Sequence, residues 1–257
     1  MTQRERAEHF RAMHEGEPFV IPNPWDAGSA RMFEALGFQA LATTSSGFAF
    51  TQGKLDGHVT LAEVVEHVGL MCAATTLPVS VDLENGYGAA AEAVTLVGEA
   101  GAVGGSIEDY DPDGGILSIE AATERVAAAV EAARAFDFPF VLTARAENHL
   151  HGVDDLDDTI ARLQAYEAVG ADVLYAPGLR EVDQVRAICS AVGRPVNVLG
   201  HAAFRLDEIV AAGAQRVSVG GALTWVGVRA AADAAERLRD GDLSVLTARV
   251  PLDEWFG

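Results

Sequence analysis

Short apolar runs rich in β-branched residues alternate along the chain with longer stretches in which apolar residues recur every three or four positions. Each short run ends in Gly, Pro, Ser, Asn or an acid. The runs predict strands over PFVIPN (18–23), FQALATT (38–44), PVSVDLE (78–84), AVGGSIED (102–109), FVLTARAE (140–147), ADVLYAP (171–177), PVNVLG (195–200) and RVSVGG (216–221). Between them the longer period predicts helices in AGSARMFEAL, LAEVVEHVGLMCAA, AAEAVTLVGEA, SIEAATERVAAAVEAARA, DLDDTIARLQAYEAVG, REVDQVRAICSAV, RLDEIVAAG and ALTWVGVRAAADAAERLRD. Four helices close on a residue followed by glycine, Leu36-Gly37, Ala100-Gly101, Val169-Gly170 and Ala212-Gly213, the pattern of a helix C-cap.

Eight βα units in 257 residues match a (β/α)8 TIM barrel in count and size. With no linker or shift of composition, 1–257 reads as a single barrel domain with a short N-terminal helix and a C-terminal tail. The runner-up is a doubly wound open sheet. The barrel is preferred because no G-x-G-x-x-G follows the first strand, and because polar residues gather at the C-terminal end of nearly every strand, which a barrel brings to one face.

Composition narrows the chemistry. Hydrophobic residues make up 49% and charged ones 22%, enough for a buried core. The 38 acids against 18 bases give a formal charge of -20, which repels phosphate backbones and anionic lipids and attracts divalent cations. Nucleic acid and membrane surfaces are therefore not expected as partners. Only one base is a lysine, Lys54, so Schiff-base chemistry would rest on that residue alone. The N-terminus lacks an apolar h-region and no run approaches a membrane span, so a cytoplasmic protein is expected. Cys72 and Cys189 lie far apart in helical patterns without metal-type spacing and read as reduced structural thiols.

The strand ends carry Asn23, Trp25 and Asp26; Thr43 to Gly47; Asp82, Glu84 and Asn85; Glu108 and Asp109; Arg145, Glu147 and Asn148; Asn197 and His201; and Ser218, Gly220 and Gly221. Asp82 and Glu84 stand two apart on one strand and project to one side, where Glu108 of the next strand can join them. Carboxylates so crowded call for a cation, and oxygen ligands without Cys or paired His point to Mg2+ or Mn2+ rather than zinc. Arg145 is the counter-charge for a substrate carboxylate, with pairing to Glu108 or Glu147 as the alternative. The segment TTSSGF (43–48) reads as a loop whose hydroxyls and backbone N–H groups could cradle a carboxylate or phosphoryl group.

The ordered set NPWDAGSARMFEALGFQALATTSSGFA, VDLENGYG, GGSIED, LTARAEN and GADVLYAPG resembles the isocitrate lyase/phosphoenolpyruvate mutase superfamily, over about Asn23 to Gly221. VDLENGYG is similar to that family's metal motif, with Glu84 in place of its second aspartate. The resemblance implies that Asp82 ligates Mg2+ directly, with Glu84, Glu108 and Asp56 acting through bound waters. It implies substrate contacts from Trp25, Ser46, Gly47, Phe48, Asp82 and Arg145, with Arg145 gripping a carboxylate and Trp25 and Asp26 at the pocket floor. The activity it implies is cleavage of a C–C or C–P bond in a small α-keto or α-hydroxy carboxylic acid, with Mg2+ stabilising the enolate that forms.

The sequence also departs from the family. The mobile loop carrying lysine, cysteine and histidine after the fourth strand is replaced by YDPDGGILS (110–118), and the mutases' histidine after the sixth strand by Ala176-Pro177-Gly178. The expected reaction is therefore a lyase or decarboxylase step on a small keto acid or 2-hydroxy dicarboxylate. Arg145, Glu108 and His201 are the candidate catalytic residues; His201 and Tyr87 are the candidate proton donors, and His149 and His151 could close over the site. The alternatives are a phosphonopyruvate-type C–P enzyme and a non-catalytic metal and keto-acid binding protein. The resemblance further implies a homodimer or homotetramer exchanging the eighth helix. Trp255 and Phe256 in the tail suit docking on a partner or on the chain's own barrel.

Overall fold

In the computed structural model, which describes residues 1–257, all eight expected strands form, each shorter than its apolar run. In chain order the strands are β1 (Phe19–Ile21), β2 (Leu41–Ala42), β3 (Val79–Asp82), β4 (Gly104–Glu108), β5 (Tyr110–Asp111), β6 (Gly115–Ile116), β7 (Val141–Arg145), β8 (Val173–Tyr175), β9 (Val196–Leu199) and β10 (Arg216–Ser218). β5 and β6 form an antiparallel hairpin. The other eight are parallel in the order β1-β10-β9-β8-β7-β4-β3-β2. The two ends of that order meet where the Ala42 N–H donates to the Pro22 carbonyl at 3.1 Å, closing a (β/α)8 barrel.

Alternation along the strands divides the barrel into two environments. Val79, Val81 and Leu83 face outward into a core with Val94 and Val97, and Ile107 and Leu142 join them from β4 and β7. A second core gathers Ala144, Leu174, Val198 and Val217 against Leu163, Tyr166, Ile188 and Ile209 of the outer helices. The opposite phase, including Ser80, Asp82 and Ser106, faces the barrel interior and is polar. Helix Gln3–Met13 plugs the N-terminal end with Phe10, fully buried among Ile21, Val103, Val141 and Val173. Gly104 permits that plug, since a Cβ there would lie 2.9 Å from the Phe10 ring and 2.8 Å from the Val141 carbonyl.

The four C-cap glycines adopt the left-handed backbone their position requires, with φ of 89°, 112°, 103° and 110° at Gly37, Gly101, Gly170 and Gly213. Cys72 is buried and Cys189 half-buried, both free, and burial pushes each thiol up to about 11. No helix is long and apolar enough to cross a membrane.

Two segments differ from the sequence reading. TTSSGF is not an open loop: Ser45 to Phe48 begin helix Ser45–Thr51, because Thr44 caps it by accepting the Gly47 N–H. YDPDGGILS folds into the β5-β6 hairpin, since Asp111 accepts the Asp113 N–H at 3.0 Å and Gly115 takes φ of 79°. At the C-terminus, helix Ala222–Arg239 buries only Thr224 of its 18 residues. The tail returns to its own chain: helix Leu252–Phe256 packs on helix Ala27–Ala35, and Arg31 donates to the Phe256 carbonyl at 2.9 Å.

Candidate active site

The C-terminal strand ends surround a cavity of about 200 Å³. That volume lies below the range for drug-sized ligands and suits a small metabolite. Its wall includes Ser45, Ser46, Asp56, Asp82, Arg145 and Tyr175. Asp82 ends β3 on the inward phase, and Arg145 ends β7 on the same phase two strands away.

Arg145 organises the acids. Its Nη1 meets Asp82 Oδ1 at 2.7 Å, its Nη2 meets Glu108 Oε2 at 3.2 Å, and its Nε donates to Glu147 Oε1 at 2.8 Å. The guanidinium also lies over the Tyr175 ring at 5.4 Å. The pairing with Glu108 and Glu147 anticipated as the alternative is thus present, and Asp82 is a third partner. Surrounding carboxylates hold Arg145 firmly protonated despite its burial. Asp82 also accepts the Ser45 N–H at 3.2 Å, which ties the start of the short helix to β3.

One guanidinium does not neutralise this many acids. Burial, reinforced by the charge of Asp82, pushes Glu84 up to about 7. Burial also pushes Glu108 up to about 8, with Arg145 opposing the rise and Glu147, Asp82 and Glu84 adding to it. Burial likewise raises Asp56. Tyr87 donates its hydroxyl to Glu84 Oε1 at 3.0 Å. Glu84 and Tyr87 both have left-handed backbones, at φ of 48° and 53°, a conformation uncommon outside glycine that concentrates at functional sites.

These residues fit a hard divalent cation. The donors are all oxygens and their negative charge exceeds what Arg145 offsets. No three of them converge into a closed cage, so an ion here would rest on one or two carboxylates and keep several waters.

Other expected residues fall elsewhere. Ser46 faces the cavity, and its hydroxyl shares a hydrogen bond with Thr44 Oγ1 at 3.2 Å. Gly47 lies beneath it where a Cβ would come within 2.6 Å of both Thr224 and Thr44, so the close approach of helix Ala222–Arg239 demands glycine. Phe48 turns away from the cavity into the core and stacks on His67 at 3.9 Å. Trp25 packs edge-on against Phe33, and Asp26 caps helix Ala27–Ala35 by accepting the Ser29 N–H at 2.7 Å, so neither forms the pocket floor. His201 lies in an adjoining groove with His149 and Arg180, its Nε2 3.2 Å from the Leu179 carbonyl. His149 is buried beside Asp154, and His151 stacks on Tyr110 of the hairpin at 3.6 Å. Asp109 faces away from the cavity. The inventory of strand ends passed over Tyr175, Ser80, Ser106 and Arg216, all on the wall. The signal was a polar residue on the inward phase of a strand, and for Arg216 a cation opening an otherwise apolar run.

A family model described as phosphoenolpyruvate phosphomutase matches residues 10–239. The chain is 35% identical over 234 residues to an oxaloacetate decarboxylase of Bradyrhizobium, covering 85% of this chain and 79% of that one. It is 31% identical over 235 residues to a 2-methylisocitrate lyase of Shewanella oneidensis, covering 84% and 79%. A crystal structure from Burkholderia cenocepacia, broadly named lyase/mutase, superposes with a TM-score of 0.94 at 51% identity, covering 98% of this chain and 95% of that one.

Proposed function

The chain belongs to the phosphoenolpyruvate phosphomutase family, and we propose that within it this protein is a Mg2+-dependent lyase or decarboxylase breaking a carbon–carbon bond of a small 2-keto or 2-hydroxy carboxylic acid. The observation that carries this reading is Asp82, held between Arg145 and the Ser45 N–H on the wall of a small cavity that it shares with Asp56. Relatives named oxaloacetate decarboxylase and 2-methylisocitrate lyase support the reaction class.

In this reading Asp82 holds Mg2+ directly, with Asp56, Glu84 and Glu108 reaching it through waters. The ion would supply fixed positive charge beside the substrate's carboxylate and keto oxygens, where negative charge builds as the bond breaks. Arg145 has five N–H groups and three carboxylate partners, so two N–H groups are left to orient the substrate carboxylate. Ser46 offers a hydroxyl to the same group. From a 2-keto acid the departing CO2 leaves its electron pair on the carbon beside the keto group; from a 2-hydroxy acid the hydroxyl gives up its proton as the keto group forms and the pair goes with the departing fragment; in either case the carbanion must then receive a proton. A water held among these acids, or the Tyr87 hydroxyl that donates to Glu84 Oε1 at 3.0 Å, delivers it. Neither source needs the thiol missing from the hairpin. His201 is disfavoured as donor because it borders the adjoining groove.

The test is a coupled assay for pyruvate or glyoxylate from oxaloacetate, 2-methylisocitrate, isocitrate, dimethylmalate and phosphonopyruvate. Mg2+-dependent product from a C–C substrate supports the proposal. Product from phosphonopyruvate alone would favour C–P chemistry, and binding without any product would favour a sensor.

The raised acids also predict how stability depends on pH. Below about pH 4.5 both folded and unfolded chains hold the Glu84 and Glu108 protons; between about 4.5 and 8 only the folded chain does, so folding stability falls as pH rises through that window. The metal-free protein is expected to lose about 5 °C in Tm from pH 5 to pH 8, and Mg2+ to restore it at the alkaline end. A calorimetric Tm that is flat across the window and indifferent to Mg2+ would refute the clustered-acid site.

The exposed helix Ala222–Arg239 supports the reading of a dimer or tetramer that exchanges its eighth helix. Light scattering is expected to give at least twice the 27.0 kDa chain mass, and a monomer at micromolar concentration would reject the exchange.

A further inference from the structure

Arg216 stands at the inner end of the cavity. It opens β10 and points into the barrel, where its Nε donates to Asn197 Oδ1 at 2.8 Å and its Nη2 to Thr143 Oγ1 at 3.0 Å. Its Nη1 lies 3.1 Å from His14 Nε2. Burial, helped by the Arg216 charge, pushes His14 down to about 3, so the ring is neutral. With the His14 Nδ1–H donated to the Phe10 carbonyl at 2.8 Å, Nε2 is left to accept from Arg216.

All three partners are therefore uncharged. Arg216 is 5% exposed, and burial lowers it only to about 10, so it remains a cation at neutral pH. The buried Arg162 pairs with Asp109 and Asp158, and Arg145 with three carboxylates, whereas no carboxylate pairs with Arg216. A cation withdrawn from water without an anion is strongly disfavoured unless something supplies the missing charge. Three of its five N–H groups are committed and two are left.

The cavity that Arg216 borders is the one holding Asp82 and Arg145. We infer that Arg216 is the receptor for a second substrate carboxylate at the cavity's inner end, making the preferred substrate a small dicarboxylate whose keto-acid or hydroxy-acid end lies at Asp82 and Arg145. This rests on the lyase reading and adds a specificity residue to it. The spacing agrees. Arg216 bonds Thr143, which precedes Arg145 by two residues on β7, or about 6.6 Å along the strand. That backbone step places the Thr143 layer bonded by Arg216 one inward position below Arg145, a depth on the scale of a short dicarboxylate. The two sites are also electrically distinct, because Arg145 already has three carboxylates and Arg216 has none.

The test compares L-malate with L-lactate, which lacks the second carboxylate, by titration calorimetry with Mg2+ present. Wild-type protein is expected to bind malate at least tenfold more tightly. Arg216→Met should weaken malate binding at least tenfold while leaving lactate unchanged, and Arg216→Lys, which keeps the charge and loses the fork, should fall between. A wild type without preference, or a folded Arg216→Met that keeps it, overturns the assignment. Should neither variant fold, a crystal of the wild type with malate decides: a carboxylate hydrogen-bonded to Arg216 sustains it, and malate held only at Arg145 overturns it. Binding is read apart from turnover, so failure to cleave any substrate would count against the lyase reading while leaving the Arg216 result intact.

Discussion

Asp82→Ala is expected to leave a folded protein whose Mg2+-dependent turnover has fallen at least a thousandfold. The fold survives because Arg145 keeps Glu108 and Glu147, so no buried cation is stranded. Function does not, because the same carboxylate is the proposed direct ligand of the cation, the partner of Arg145 Nη1 and the acceptor for the Ser45 N–H. A cation that offsets the developing charge contributes several kcal/mol to the transition state, and Asp82→Ala removes its proposed direct ligand. Asp82→Asn keeps the shape and loses the charge, and should be nearly as poor. Activity of Asp82→Ala within tenfold of wild type, measured as kcat/KM in the coupled assay, would remove the central element of the mechanism.

The largest expected loss of stability comes from the neighbouring acid that takes no part in the chemistry. Asp109 is 1% exposed and accepts from three groups: Tyr166 Oη at 2.6 Å, the Glu147 N–H at 2.8 Å and Arg162 Nη1 at 3.1 Å. It ties the end of β4 to the loop after β7 and to helix Leu156–Ala168. Asp109→Ala leaves a buried phenol and a backbone N–H without partners and Arg162 with Asp158 and the Leu117 carbonyl. Breaking such a buried pair costs about 3–5 kcal/mol, which corresponds to a fall in Tm on the order of 10 °C. Asp109→Asn retains an acceptor and should lose less. Urea denaturation of the two variants beside wild type measures both, and a loss below 1 kcal/mol for Asp109→Ala would contradict the network.

Glu108 and Asp109 also mark how far the site can be read from sequence. Both lie at a strand end, and an inventory of polar strand ends treats them alike. Period-two alternation separates them once one outward residue is known: Ile107 lies in the core, so Glu108 turns inward and Asp109 outward. The same reasoning on β3 recovers Ser80 and Asp82 from Val79, Val81 and Leu83. The eight strands were legible because the outward phase of each packs against the helices and is written in apolar, often β-branched residues, and each run closes on turn residues or an acid. What escaped lay outside that signal. Arg216 occupies the N-terminal end of its strand, where attention to C-terminal ends does not reach, and its role depends on neutral partners from three distant segments. Phe48 was placed in the pocket by resemblance, yet the cap at Thr44 starts a helix that sends its ring to the core. The hairpin at 110–116 follows from local turn chemistry, but its stack on His151 is a tertiary contact no local pattern announces.

The state of the two thiols has a practical use. With each held near 11 rather than the ordinary 8.5 or so, Cys72 and Cys189 present a few hundredfold less thiolate at neutral pH than an exposed cysteine does. Gly114 lies in the turn between β5 and β6, with only Asp111 near its missing side chain. A cysteine introduced there would outpace both native thiols toward a maleimide dye, giving singly labelled protein without first deleting a native residue. The dye would sit on the hairpin that packs against His151, where its emission can report whether that contact opens as ligands enter the barrel.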